Sequence, residues 1–199
     1  MNKVAILLFM SILCCASCKT KQKLGTAVQN TESPKVVENI KKVCADSENN
    51  LAWLDATAEI DNKIKYRVAS KYKLFAVDEL KLRYAFESNF KKNKEFVISI
   101  PVYKDNSISC ISFRLINSET ISKEKQAEMG HFSFKGRNTA NNLESGRFDF
   151  SNNGALRAYI HTENENYIME PIELLGKRYY ISFNKKDALS TKKDFEREN

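Results

Sequence analysis

The strongest pattern in the chain is an alternation of apolar and polar residues between Gly146 and Phe183. A period of two residues puts the apolar side chains on one face of a strand and the polar ones on the other. Asn152-Asn153-Gly154 interrupts the alternation, and Asn-Gly favours a tight hairpin turn because both residues tolerate positive φ. A second polar turn covers Glu163 to Asn166, and Leu174 to Lys177 forms the third. The segment therefore predicts a four-strand antiparallel meander, with apolar positions Phe148, Phe150, Leu156, Ala158, Ile160, Tyr167, Met169, Tyr179, Ile181 and Phe183.

The residues before the meander predict further strands. Glu95 to Val102 and Ile108 to Leu115 are apolar segments on either side of a polar turn. Pro101 has no N–H to donate, so it indicates an edge strand or a strand end. Trp53 is the first bulky aromatic residue after a long polar stretch, and we expect it in the core.

One or two short helices accompany these strands. Asp78 is a suitable N-cap for a segment with leucine spacing, which predicts a helix of about ten residues ending near Ser88. The polar segment from Ile116 to Gly130 is compatible with a second helix, and Gly130 is a typical stop. The predicted class is α+β, mainly an antiparallel β-sheet meander with one or two short helices.

Residues 1–17 predict a lipoprotein signal peptide. Lys3 gives a short basic head, and the apolar run from Val4 to Leu13 is shorter than the ~20 residues of a membrane span. The sequence Cys15-Ala16-Ser17-Cys18 resembles a bacterial lipobox, in which the final cysteine is linked to diacylglycerol. We therefore predict lipidation of Cys18 and a membrane anchor through the lipid. An ordinary signal peptide that releases a soluble protein is the alternative.

The rest of the chain divides into a tether, one domain and a tail. Residues 18–50 contain few large apolar side chains and predict a flexible tether, because such a composition buries too little surface to offset ordering entropy. Residues 51–187 form the predicted β-rich domain, and residues 188–199 a charged tail. The lysines at 19, 21 and 23 either lie on anionic headgroups or are simply solvated. Because no acidic cluster follows Cys18, we favour the outer membrane, facing the periplasm.

The formal net charge is +7. The excess is spread along the chain, and no arginine-rich run is interleaved with aromatic residues. With an export signal present, this charge indicates a surface that favours acidic partners or lipid, and it argues against nucleic-acid binding.

The sequence contains no recognisable catalytic or metal-binding motif. It has two histidines, His131 and His161, which lie thirty residues apart, and no His-Glu-x-x-His pattern. Gly-x-Ser-x-Gly and glycine-rich phosphate loops are also missing. We predict a protein that is not an enzyme and needs no metal or cofactor. Cys44 and Cys110 could form a disulfide in an oxidising envelope, although the sequence does not show that they are close.

From about Tyr72 to Asp187, the order of elements resembles the N-terminal propeptide-like domain of secreted bacterial reprolysin-like metalloproteases. A helix with leucine spacing, a strand ending in proline and a Phe-x-Leu strand come first. An aromatic-x-Gly element, an alternating hairpin, a Tyr-Ile-x-x-Pro unit and a Tyr-Tyr-Ile-Ser strand follow. The matching residues are Asp78 to Ala85, Ile98 to Pro101, Ser112 to Leu115, Phe134 to Gly136, Arg147 to Ile160, Tyr167 to Pro171, Tyr179 to Ser182 and Lys185 to Asp187.

The resemblance implies a fold and a protease context rather than peptidase activity. It predicts a non-catalytic envelope lipoprotein that binds a secreted metalloprotease and inhibits it or acts as its chaperone. A block of the protease zinc would use Cys44 with Asp46, whereas a steric block would use strand edges or the hairpin tips near Asn152, Asn153 and Asn164. The alternative is a structural or adhesion-type surface lipoprotein with no protease partner.

Overall fold

Ten strands form one antiparallel sheet in the computed structural model, which describes residues 41–65 and 67–189. The strands are β1 Lys42–Asp46, β2 Leu51–Asp55, β3 Lys73–Ala76, β4 Phe96–Lys104, β5 Ser107–Asn117, β6 His131–Asn138, β7 Ser145–Ser151, β8 Leu156–His161, β9 Asn166–Leu174 and β10 Lys177–Asn184. The helices are α1 Thr57–Ile60, α2 Glu79–Lys92 and α3 Lys123–Met129, with short 3-10 turns at Asp61–Lys63 and Lys185–Asp187. Since these helices are few and short, the described fold is largely β, and the predicted α+β class is only approximately right.

The order of strands across the sheet is β1-β2-β3-β10-β9-β8-β7-β6-β5-β4. The predicted meander from Gly146 to Phe183 is confirmed as β7 to β10, and it continues without a break through β6, β5 and β4. β4 is an edge strand, which agrees with the position of Pro101. The long connection from β3 to β4 contains α2 and crosses the width of the sheet.

Helix α2 packs into the concave face of the sheet through a cluster of aromatic rings. Phe86 stacks on Phe150 with ring centroids 4.8 Å apart, and Phe90 lies 4.4 Å from Phe132. The predicted N-cap is confirmed, because the Asp78 carboxylate accepts hydrogen bonds from the backbone N–H of Leu80 and Lys81. The helix extends beyond its predicted end because burial of Phe90 stabilises its last turn.

Strand β10 is buried on both faces. Tyr180 contributes to the main core on the concave face, whereas Tyr179, Ile181 and Phe183 belong to a second apolar cluster on the convex face. Ile60 and Leu74 complete this cluster from α1 and β3. The segment between β2 and β3 therefore covers the sheet where β10 would otherwise be exposed.

The predicted domain boundary at Leu51 is wrong, because β1 precedes it in the sheet. The sheet curves until β1 contacts the other edge strand, β4. Two side chains join these edges: Asn49 donates to the Val97 carbonyl, and the Trp53 indole donates to the Ser99 carbonyl over 2.8 Å. The residues of β1 carry little apolar signal, because its order comes from long-range contacts rather than from its own pattern. We call this junction of β1 and β2 with β4 and β5 the seam.

Residues Val37–Asn199 form a compact unit. This unit holds every described strand, both apolar clusters and the seam, so we expect it to fold by itself. The predicted signal peptide, the lipidation of Cys18, most of the tether and most of the charged tail lie outside the described residues.

Candidate binding face

Cationic side chains are concentrated on the convex face of the sheet, where β5, β6, β7 and β8 lie side by side. The register between the strands aligns the outward-facing residues, cationic and uncharged, in rows that cross the strands. The first row is Arg114, Arg137, Ser145, His161 and Asn166; the second is Ile116, Lys135, Arg147, Tyr159 and Ile168. We call the four cations Arg114, Lys135, Arg137 and Arg147 the basic face.

The basic face consists of two like-charge pairs. Arg114 lies directly opposite Arg137, and Lys135 lies directly opposite Arg147. All four residues are exposed. Like charges at directly opposed positions destabilise a sheet, because the Cβ atoms of such residues are only ~4.5–5.5 Å apart. The fold gains nothing from this arrangement, so it indicates a binding role.

Three of these cations are available to a partner. Arg147 makes an ion pair with Asp149, with Nε and Oδ2 3.1 Å apart. Arg114, Lys135 and Arg137 make no ion pair with any residue in the part of the chain that the structure describes. Their charges are compensated mainly by solvent.

A groove of about 470 Å³, within the size range of ligand sites, runs along the basic face. Its floor includes the backbone of Gly136 and Gly146, which lie opposite each other on β6 and β7. A Cβ atom at either glycine would come within 2.6 Å of the Phe148 ring on the concave side. The glycines therefore let Phe148 pack beneath the groove. Glu95 is the acidic residue in its wall.

Apolar residues flank the second row of the basic face. Ile116 is 44% exposed and Tyr159 is 40% exposed. The Lys185 ammonium lies 5.7 Å from the centre of the Tyr159 ring and adds a further cation at that side. Charged and apolar contact surface are thus combined, as at the core and rim of protein interfaces.

The structure overturns the predicted zinc-directed pair Cys44 and Asp46. Cys44 is 2% exposed and forms a disulfide with Cys110 across the seam, with Cα atoms 5.8 Å apart. It therefore has no thiolate to offer a metal. Asp46 is 5% exposed, and its carboxylate accepts hydrogen bonds from the backbone N–H of Glu48 and from the side chain of Asn49.

The two predicted hairpin tips do not form one site. Asn152 and Asn153 lie in the turn from β7 to β8, whereas Asn164 lies in the next turn, at the opposite end of the strands. All three residues are exposed. The first tip is also held within the molecule, because the Arg178 guanidinium donates to the Asn153 carbonyl over 2.9 Å.

The histidines are also apart. His131 Nε2 lies 3.7 Å from Asp149 Oδ1, and His161 Nδ1 lies 2.8 Å from Asn166 Oδ1. Among residues 41–65 and 67–189, no group of three or more His, Cys, Asp or Glu side chains is arranged to bind a metal ion. Within the same ranges, no helix has the length and apolar character to span a membrane.

Perturbed tyrosines lie in the core and near the turn from β8 to β9, away from the basic face. Burial raises the pKa of Tyr180 to about 12. Burial and a hydrogen bond to Glu165 raise the pKa of Tyr167. Hydrogen bonds from Lys186 and Tyr167 lower the pKa of the Glu165 carboxyl. Tyr167 and Lys186 both donate to Glu165, so this cluster connects the 3-10 turn after β10 to the meander, which is a structural role.

Comparisons with protein-family models, with curated proteins and with solved structures found no match to this chain. The resemblance to the propeptide-like domain of metalloproteases therefore stays a prediction.

Sequence reasoning did not find the basic face, although part of its signal was visible. Lys135 and Arg137 are two residues apart within one strand, so they had to share a face. Their alignment with Arg114 and Arg147 depends on the register between strands, which alternation alone does not set.

Proposed function

We propose that the protein is a non-catalytic binding module of the bacterial envelope, anchored by lipid at Cys18. Its partner is a secreted metalloprotease, which it inhibits or assists as a chaperone. The basic face is the observation that supports a binding role, since its like-charge pairs cost stability without serving the fold. The resemblance in the order of elements supports the class of partner.

Inhibition by this module would be steric and electrostatic rather than directed at zinc. Cys44 is held in the disulfide, so it presents no thiol to the zinc of a protease. A basic surface accelerates encounter with an acidic partner and fixes its orientation. If the protease carries its acidic surface near its active-site cleft, binding to the basic face would place the convex face of the sheet over that cleft.

A pull-down tests the proposal. The fragment Val37–Asn199 is incubated with the native secretome, and metalloprotease activity is assayed in parallel. We expect a bound protease whose activity falls with the dose of fragment. The double variant Arg114→Gln/Arg137→Gln should recover much less protease. The control variant Arg157→Gln/Lys177→Gln, which loses two cations outside the basic face, should recover as much protease as the unsubstituted fragment.

Failure to recover or inhibit a protease would contradict the proposal. If no protease is recovered and micromolar fragment inhibits none, the module has no protease partner. A structural or adhesion-type lipoprotein would then be the better description.

A further inference from the structure

The spacing of the basic face suggests how a partner is recognised. Its two rows are separated by two residues along each strand, as Lys135 and Arg137 show on β6. Two residues of extended chain span ~6.6–6.8 Å, whereas opposed residues within a row are ~5 Å apart. The cations therefore form a small lattice with two different spacings.

An extended peptide segment has the longer of these periods. Side chains at positions i and i+2 of such a segment point to the same side, also ~6.8 Å apart. We propose that the basic face binds an extended acidic segment of the partner in which two carboxylates are two residues apart. This inference rests on the proposed function, because it specifies the recognition element of the same face.

Each carboxylate then has a defined set of donors. The first lies between the guanidinium groups of Arg114 and Arg137, which are suited to carboxylate oxygens because their donors form a planar fork. The second pairs mainly with Lys135, because the Arg147 guanidinium on its other side already pairs with Asp149. An apolar side chain next to the second carboxylate contacts Ile116 or Tyr159, at the two flanks of that row.

The surroundings limit the segment to two acidic positions. The next row contains Ser133, Asp149 and Arg157, so a third carboxylate two residues further would approach Asp149. Glu95 also lies in the wall of the groove. A uniformly anionic surface such as a bilayer would be repelled by Asp149 and Glu95, whereas a short segment with two carboxylates avoids them.

Two peptides of identical composition test the inference. One carries glutamates at alternate positions, and the other carries them at adjacent positions, which point to opposite sides of an extended chain. Both bear the same fluorophore, and their binding to the fragment Val37–Asn199 is measured by anisotropy at low salt. We expect the alternating peptide to bind about fivefold more tightly, since the adjacent peptide loses roughly one row of ion pairs.

Variants locate the effect on the basic face. Arg114→Gln/Arg137→Gln should abolish the difference between the peptides, whereas Arg157→Gln should preserve it. Emission from Trp53, which is buried at the seam, checks that each variant is folded.

Three outcomes would overturn the inference. They are equal affinities for the two peptides, a preference that survives the double variant, and binding to phosphatidylglycerol vesicles with binding to neither peptide. Recovery of a protease by the fragment without a peptide preference would retain the proposed function and remove only this recognition element.

Discussion

Breaking the Cys44–Cys110 disulfide should destabilise the domain strongly. The two cysteines are 66 residues apart in sequence. Closing a loop of that length in the unfolded chain corresponds to about 4 kcal/mol at room temperature in the chain-entropy model. The bond also joins β1 to β5 across the seam, where the side chains of Asn49 and Trp53 donate hydrogen bonds to β4.

Urea denaturation of the fragment Val37–Asn199 measures this contribution. Cys44 and Cys110 are its only cysteines, so a reductant acts on this bond alone. Trp53 is the sole tryptophan of the chain and is fully buried at the seam, so its emission reports the transition. We expect the free energy of unfolding to fall by about 3–4 kcal/mol on reduction.

The double variant Cys44→Ala/Cys110→Ala serves as the control. It should agree with the reduced protein to within about 1 kcal/mol, because it differs only by the loss of the two thiol groups. A reduction effect below about 1 kcal/mol would refute the reasoning. The seam would then be held by packing, and the loop would already be constrained in the unfolded state.

Three further predictions follow from particular contacts. Arg114→Thr should raise the free energy of unfolding by about 0.5 kcal/mol at low salt, because it relieves repulsion from Arg137, and the gain should shrink in salt. Arg178→Ala should lower it by about 1–2 kcal/mol, since the Arg178 side chain is 11% exposed and pairs with Glu79 and Glu173, which are partly exposed. Burial raises the pKa of Tyr180 from 10.0 to about 12. The unfolded chain therefore loses this proton at a lower pH than the folded protein, so stability should fall as the pH rises above 10.0. Tyr180→Phe should reduce that fall in stability.

Denaturant titrations check all three. A loss of stability in Arg114→Thr would show that the opposed arginines are not strained against each other, and Arg157→Thr, opposite Asp149, is the matched control that should gain nothing. No change in Arg178→Ala would mean that its ion pairs only offset their desolvation. An unchanged alkaline profile in Tyr180→Phe would assign the pH dependence to the other tyrosines.

Local signals in the sequence predicted the central part of the fold well. The alternation around Phe148 and Phe150 identified the core face of β7, since strand geometry puts every second side chain on the same side. Asp78 and Gly130 marked helix ends, because capping depends on a residue and its immediate neighbours. Trp53 was expected in the core, and it is fully buried.

The misplaced elements depend on distant contacts. The sequence predicts a tether where β1 lies, because these residues carry little apolar signal, whereas the order of β1 comes from the disulfide and from the hydrogen bond of Asn49 to β4. The helix α2 was predicted to end near Ser88, whereas Phe90 extends it by packing on Phe132. Neither partner is adjacent in sequence, so periodicity alone does not reveal the interaction.

The candidate site likewise combines features that local sequence signals predict with features that depend on distant contacts. Strand periodicity alone places Lys135 and Arg137 on one face, and the composition shows that Cys44 and Cys110 could pair. The folded sheet is needed to show that Arg114 and Arg147 lie opposite them, and that Cys44 is buried. The physical reason is that register and seam closure are set by contacts between residues far apart in the chain, whereas the side-chain period of a strand is a local property.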